Sequence, residues 1–477
     1  MGLFARWDDD GHAVNVWFRR GAPVALFVMI GLVWFMQLTL RQFGELRLSS
    51  PLASKVQSEE VLEPGIANLT LTAKFAVKSA RLEREIDQDE ADDSLRELDE
   101  IAETRVDRLR VAIVAGELKG KPEAAKRLGE LAKEIGEGSN LASDVYWLGK
   151  IYSAADRAPL PEDVTNSLIA RHGWFGRLAL STGLGPEDYF RRSVVGGGEA
   201  LGKLFLWQLV LTGLTGLASI IVLIGIVGAL REGAFQSELE VSELPGTVYL
   251  EMFVIFLIYF FVIVGMQVFT LWMTGPASVA GLAIGELLTW LIPVCFLWPW
   301  LRGMDPSDFM KDLGWTTGDG VATEIRAGVF GYLGALPLVT LVSWLAHKVE
   351  EWSTSEAPAT GYLPFDPTLG NSWVPVVLGT LGAVVWAPIV EETLFRGALY
   401  RAMRGRFGVF WSVLFTALVF GAIHPYSTAG LVSVATGGVV FALLREWRGS
   451  LIAPITAHFL HNATLSVFEV LFIAAVD

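Results

Sequence analysis

After Lys203 the chain carries eight apolar runs of about 17 to 27 residues each, the length a helix needs to cross the hydrocarbon of a bilayer. They fall at roughly 204–230, 248–273, 278–301, 327–346, 373–402, 408–424, 430–447 and 451–475. A ninth run, residues 22–40, precedes them. Lipid offers no partner to backbone polar groups, so each run must be helical. The fold class is therefore all-α, a polytopic membrane bundle. Composition agrees: of 477 residues 52% are hydrophobic, 17 are Trp and 28 Phe, and mean hydropathy is +0.46. A net charge of −14, with no basic face, excludes a nucleic-acid partner. The single cysteine, Cys295 in "LTWLIPVCFLWPW", rules out an intramolecular disulfide and CxxC motifs and reads as a packing residue.

Residues 1–21 form a mixed-charge tail, and the run at 22–40 has no small-residue cleavage site at its end, so it reads as an uncleaved transmembrane anchor. Composition then inverts. The third of the chain from Arg41 to about Gly198 holds more than half of all Asp, Glu, Lys and Arg, which marks 41–200 as a soluble α-helical domain. A Pro-bearing linker opens it, and helix-period stretches follow at about 72–117, 122–136, 141–156 and 161–181. Nothing in it resembles a catalytic constellation, and it reads as a spacer or a partner-binding element. Orientation follows from short-loop cations. Arg302, Lys311, Arg326, Arg401, Arg404, Arg406, Arg445 and Arg448 fall in one alternating set of loops, which places the N-terminus in the cytoplasm and both 41–200 and the C-terminus outside it.

Ionisable residues inside such runs are costly and mark function. Here they gather in the last four runs. "APIVEETLFRG" carries Glu391, Glu392 and Arg396; "LVFGAIHP" carries His424; "ITAHFLHNAT" carries His458 and Asn462. Adjacent helical residues point about 100° apart, so Glu391 and Glu392 do not both face one site squarely. Glu392 and Arg396, at i,i+4, can pair as a structural clamp, which leaves Glu391 as the reactive carboxylate. If "RGRFG" closes a helix hairpin, Glu391 lies sixteen residues before Phe407 and His424 sixteen after Gly408, at one height. A carboxylate facing an imidazole can activate water as general base and then protonate a leaving amine. His458 and Asn462 share a face at i,i+4 and can donate to a developing oxyanion. His461 is turned away from that face. Pro388 and Pro425 loosen the backbone beside the glutamates and beside His424, which is tolerated only where protein or a cavity supplies hydrogen bonds. Each pair alone has an ordinary structural reading. Together, in a segment with three of the six histidines, they point to a site. Glu286 and Glu469 also lie in apolar runs, where a helix-to-helix hydrogen bond is the expected role.

The ordered motifs EExxxR ("EETLFR"), FxxxH ("FGAIH") and HxxxN ("HFLHN") resemble those of the CPBP family of intramembrane proteases, the type II CAAX prenyl endopeptidase, bacteriocin-processing and abortive-infection group. The resemblance covers about 204–475 and is most specific over 373–470. It implies an eight-helix membrane core, in which Glu391 and His424 activate the hydrolytic water and His458 and Asn462 form the oxyanion hole. It also implies a protein or peptide substrate at the membrane. The family is usually labelled metalloprotease, and Glu391, His424 and His458 could supply three ligands to a divalent metal such as zinc, leaving a position open for water. Against that stand the lack of HExxH and of a carboxylate placed to orient either histidine. The residues leave the cofactor open, with the balance toward a glutamate and histidine pair acting without a tightly held metal. The anchor and the 41–200 domain lie outside the family pattern and suggest that substrates or a protein partner are engaged outside the cytoplasm. The competing reading is a non-catalytic scaffold or immunity-type protein whose polar cluster only holds the bundle. A transporter would call for inverted repeats, and none is evident.

Overall fold

The computed structural model describes residues 24, 26, 28, 30 and 31, and residues 64–476 except 82–86, 103, 136–138, 155–159, 240–246, 275–287, 354–373 and 425. The 1–21 tail, most of the 22–40 anchor, Glu286 and Pro425 lie outside the described residues. The described residues contain helices and no strand. They form two compact units, one of Met1–Val56, Leu211–Phe365 and Ser372–Val467, the other of Gln57–Val210, Asp366–Asn371 and Phe468–Asp477.

The second unit begins with eight helices: α1 Pro64–Ser79, α2 Gln88–Ile101, α3 Arg105–Leu118, α4 Lys121–Glu134, α5 Asn140–Ser153, α6 Glu162–His172, α7 Trp174–Ser181 and α8 Tyr189–Val195. The stretch expected at 72–117 as one element is three. Capping chemistry divides it: Asp87 caps α2, and Thr104 with Asp107 closes a capping box on α3. The stretch expected at 161–181 is two, because Gly173 takes φ +53, a left-handed conformation that glycine alone adopts without strain. Apolar stripes of these helices meet in one core that includes Leu98, Leu109, Ile113, Leu148 and Phe175. A buried polar cluster sits beside it. Asp144 accepts from Arg171 Nε at 2.8 Å, from Arg171 Nη2, and from His172 Nε2 at 3.1 Å.

Four of the expected runs are helices close to their sequence bounds: α9 Gly198–Arg231, α10 Thr247–Thr274, α13 Val321–Ser353 and, after the site, α16 Thr428–Arg448. With α17, Ile452–Val476, they make five helices long and apolar enough to cross a membrane among the described residues. Other runs differ. The described part of 278–301 is a 3-10 turn, Ile292–Phe296, running into the short α11, Leu297–Leu301, with Pro293 at its start and Pro299 within it. A short α12, Pro306–Leu313, follows, capped by Asp305. The run at 373–402 is a continuous helical rod, α14, residues 374–404, with two π-helical segments, Gly382–Trp386 and Thr393–Leu399. α15, Val409–Ala422, has 14 residues and reaches only about 21 Å, less than the hydrocarbon thickness.

The arginines that the sequence reading used for topology have a structural task. Arg448 donates to Asp319 at 2.7 Å, to Glu324 at 2.8 and 3.2 Å, and to Glu238 at 3.3 Å. Glu446 accepts from Tyr400 at 2.7 Å, from Arg404 at 2.9 Å and from Ser237 at 2.6 Å. Arg401 donates to Asp312, which also accepts from Tyr249, both at 2.7 Å. Arg302 donates to Glu251 at 3.0 Å with both side chains buried. These cations are paired where helices end, so their bias toward one side of the bundle carries less topological weight than free loop cations would.

Two outcomes follow. Glu324 is fully buried, and Glu324→Ala removes two of the hydrogen bonds of Arg448, leaving it Asp319 and Glu238, at a cost of about 1.5–3 kcal/mol. Thermal unfolding in detergent checks this; an unchanged midpoint refutes it. In the other unit, burial pushes the Asp144 carboxyl up, but the hydrogen bonds and charges of His172 and Arg171 together hold it below the usual carboxylate range. A lowered folded pKa contributes stability that is complete above the unfolded value of about 3.9 and is lost as pH falls through the folded value. Hydrogen-exchange protection of α5 and α6 therefore weakens in acid, and Asp144→Asn removes that part of the pH dependence. Identical pH profiles for the two proteins refute it.

Candidate functional site

The site is built on α14. Its first π segment has a local cause. Pro388 has no N–H, so the helix cannot run through it with regular bonds, and the turn before it widens: the Ala387 N–H reaches back to Gly382 O, five residues away. One α-helical turn follows, Ala387–Glu392, and carries both glutamates. The second π segment, Thr393–Leu399, holds Arg396. Thr393 Oγ1 donates to Ile389 O at 2.7 Å and accepts from Trp315 Nε1 at 3.2 Å, so a side chain from the loop after α12 props the rod beside Glu392.

Glu392 and Arg396 are both fully buried, and Arg396 Nη1 donates to Glu392 Oε1 at 2.9 Å. Arg396 Nη2 donates to Gly438 O on α16 at 3.0 Å. The guanidinium lies 4.4 Å from the Phe420 ring centre and 5.2 Å from that of Phe441, so aromatic faces cover what its hydrogen bonds leave. A Cβ at position 438 would come within 3.2 Å of Ala417 and 3.3 Å of Arg396, so α16 packs so closely there that any side chain makes its neighbours give by a few tenths of an ångström.

The same Glu392 oxygen takes a second partner: His458 Nδ1 lies 2.9 Å from Glu392 Oε1. This corrects the expectation that no carboxylate orients either histidine. A carboxylate only accepts, so His458 carries its proton on Nδ1 and turns Nε2 toward Glu391, whose Oε2 is 3.9 Å away. Glu391 and Glu392 thus address two nitrogens of one ring, although their side chains diverge around the helix. Glu391 is partly exposed, and its Oε2 is buried with no hydrogen-bond partner.

His424 lies just past the end of α15, in the turn before α16, and its Nδ1 donates to Phe420 O at 2.7 Å. Its Nε2 is therefore the nitrogen left for chemistry. The structure brings His424 and His458 both to Phe420, with ring centres 4.9 and 5.8 Å from that phenyl ring. His458 also stacks on Phe441 at 4.8 Å, with planes 17° apart. Asn462 lies one turn beyond His458 on α17, and its Nδ2 donates to Ala383 O in the first π segment at 2.8 Å. His461 does not join the cluster, and its ring meets Tyr332 edge-on at 6.3 Å.

Phe441, Gly438 and Trp315 were not among the sequence candidates. None is part of a charged or polar motif, and only the glycine pair at 437 and 438 in an apolar helix hints at a close crossing. For a divalent metal, the donor types suit zinc and both histidines present Nε2, but among the described residues no three His, Cys, Asp or Glu side chains are gathered closely enough to hold an ion. The arrangement can take a proton from water and present hydrogen bonds to an oxyanion from the protein's own groups.

No curated protein and no solved structure matches the chain. A protein-family model does match, over residues 373–464, which span α14 to the first half of α17 and contain every candidate residue. The matched model is described as type II CAAX prenyl endopeptidase Rce1-like, so this segment is similar to the CPBP group to which the three motifs pointed.

Proposed function

We propose that the protein is an intramembrane endopeptidase that hydrolyses a peptide bond of a membrane-associated protein or peptide. The observation that carries this reading is the shared orientation of two histidines, each with Nδ1 held by an acceptor and Nε2 left free, beside a carboxylate with an unpartnered oxygen. A purely structural cluster would consume these groups in mutual hydrogen bonds.

In this reading Glu391 and His424 take a proton from water, and the hydroxide adds to the scissile carbonyl. The oxyanion accepts from the Asn462 amide, which has a second N–H beside the one on Ala383 O, and from His458. Because His458 Nδ1 holds its proton toward Glu392, donation from Nε2 takes a second proton on the ring. The tetrahedral intermediate then expels the amine, which leaves with the proton taken from water, giving an amine and a carboxylic acid that releases its proton to the amine or to solvent. No step here is routed through a metal, because the three candidate ligands are not gathered. The short-loop cations support a cytoplasmic N-terminus, with the helices of 64–195 and the C-terminus on the opposite side. There the helical unit would meet a substrate or a protein partner.

Purified protein in lipid nanodiscs, given a transmembrane peptide, is expected to cleave it. Glu391→Ala and His424→Ala are each expected to lower kcat by roughly 10²- to 10⁴-fold. Full activity in both variants refutes the mechanism, and no cleavage of any membrane peptide by the unaltered protein favours the scaffold reading. Elemental analysis of the same preparations reads a bound metal directly. The clamp makes a separate prediction. Glu392→Leu and Arg396→Met each leave a buried charge unmatched and cost about 3–5 kcal/mol, while the double variant recovers part of that loss. Strictly additive losses in thermal unfolding exclude the pair as a clamp.

A further inference from the structure

Ala383 O has lost both of its possible backbone partners. In a regular α-helix it would accept from the N–H of residue 387, but the Ala387 N–H is bonded to Gly382 O. In a π-helix it would accept from residue 388, and Pro388 has no N–H. The donor that it has is Asn462 Nδ2, at 2.8 Å, from a helix 79 positions further along the chain. An unmet carbonyl at membrane depth is not solvated, so the widened turn is stable only with a lateral donor.

We infer that Asn462 is a positioning residue matched to Pro388: its amide makes the hydrogen bond that the proline cannot, holds the π turn open, and fixes the direction of Glu391 one turn later. The helix that carries the reactive carboxylate and the helix that carries His458 are thereby tied at a point that touches no substrate. Asn462 keeps its second N–H for the oxyanion, so the two tasks use different hydrogens of one amide. The consequence for Glu391 rests on its proposed catalytic role; the pairing of Asn462 with Pro388 does not.

A double-mutant cycle separates the two tasks. Pro388→Ala, Asn462→Ala and the double variant are made in the full chain, and thermal unfolding in nanodiscs is measured for each. Asn462→Ala is expected to lower the midpoint in the parent, and at least half of that drop is expected to vanish in the Pro388→Ala background, where the restored N–H reaches Ala383 O. Additive shifts overturn the pairing. In turnover of the membrane peptide, Pro388→Ala is expected to reduce kcat roughly 10- to 100-fold with KM within about twofold, because Glu391 is re-aimed while substrate contacts are kept. An unchanged kcat, or a rise in KM alone, overturns the positioning of Glu391. The unfolding cycle needs no activity, so a protein that proves to be no peptidase would still decide whether proline and asparagine are coupled.

Discussion

One oxygen of Glu392 carries the site. It accepts from Arg396 and from His458 at the same 2.9 Å in a place without water, and each of those partners is committed elsewhere as well. Arg396 reaches Gly438 O on α16, and His458 belongs to α17. Three helices are thus fixed by one buried anion, and none of its bonds can be exchanged for solvent. The desolvation cost of such a group is large, and two charge-assisted bonds to the one oxygen offset it, while Glu392 Oε2 and Arg396 Nε stay buried without a partner. Phe420 and Phe441 close the remaining faces with rings, whose quadrupoles favour a nearby cation. The result is a rigid base beside which Glu391 and the two free imidazole nitrogens are held.

Much of this was legible in the sequence. Apolar run length gave the helices from α14 to α17 to within about two residues at each end, since a chain in lipid has little choice but to be helical. The i,i+4 spacing gave the Glu392 and Arg396 pair, and the symmetry of the hairpin about "RGRFG" put Glu391 and His424 within one neighbourhood. What the spacing could not give is how many partners one carboxylate takes. Once Glu392 was assigned to Arg396 it looked spent, although a carboxylate has lone pairs for several donors. The link to His458 crosses 66 positions and has no local signature. Phe441 and Gly438 were invisible for the same reason, being ordinary residues of an apolar helix that become informative only through what α16 packs against.

The arginines near helix ends show that one sequence signal can have two sources. Charge bias between loops is a guide to topology when the cations are free to interact with the membrane surface. Here Arg401, Arg404, Arg445 and Arg448 are buried or nearly so, and bond to Asp312, Glu446, backbone carbonyls and Glu324. Their positions are dictated by how helix ends are tied together, and a sequence alone does not distinguish an arginine that anchors a loop from one that closes a bundle.

The two π segments in α14 also bear on what kinds of genetic change the protein tolerates. A π turn contains one more residue than an α turn needs. Losing a residue from 393–399 would therefore leave a rod that is more regular than the present one. Residues inside the narrowed turn would be re-aimed, and a loss between Glu392 and Arg396 would end their i,i+4 spacing. In this stretch a shorter chain makes a sounder helix and an empty site, so the length of the segment is under the same constraint as the identity of Glu391.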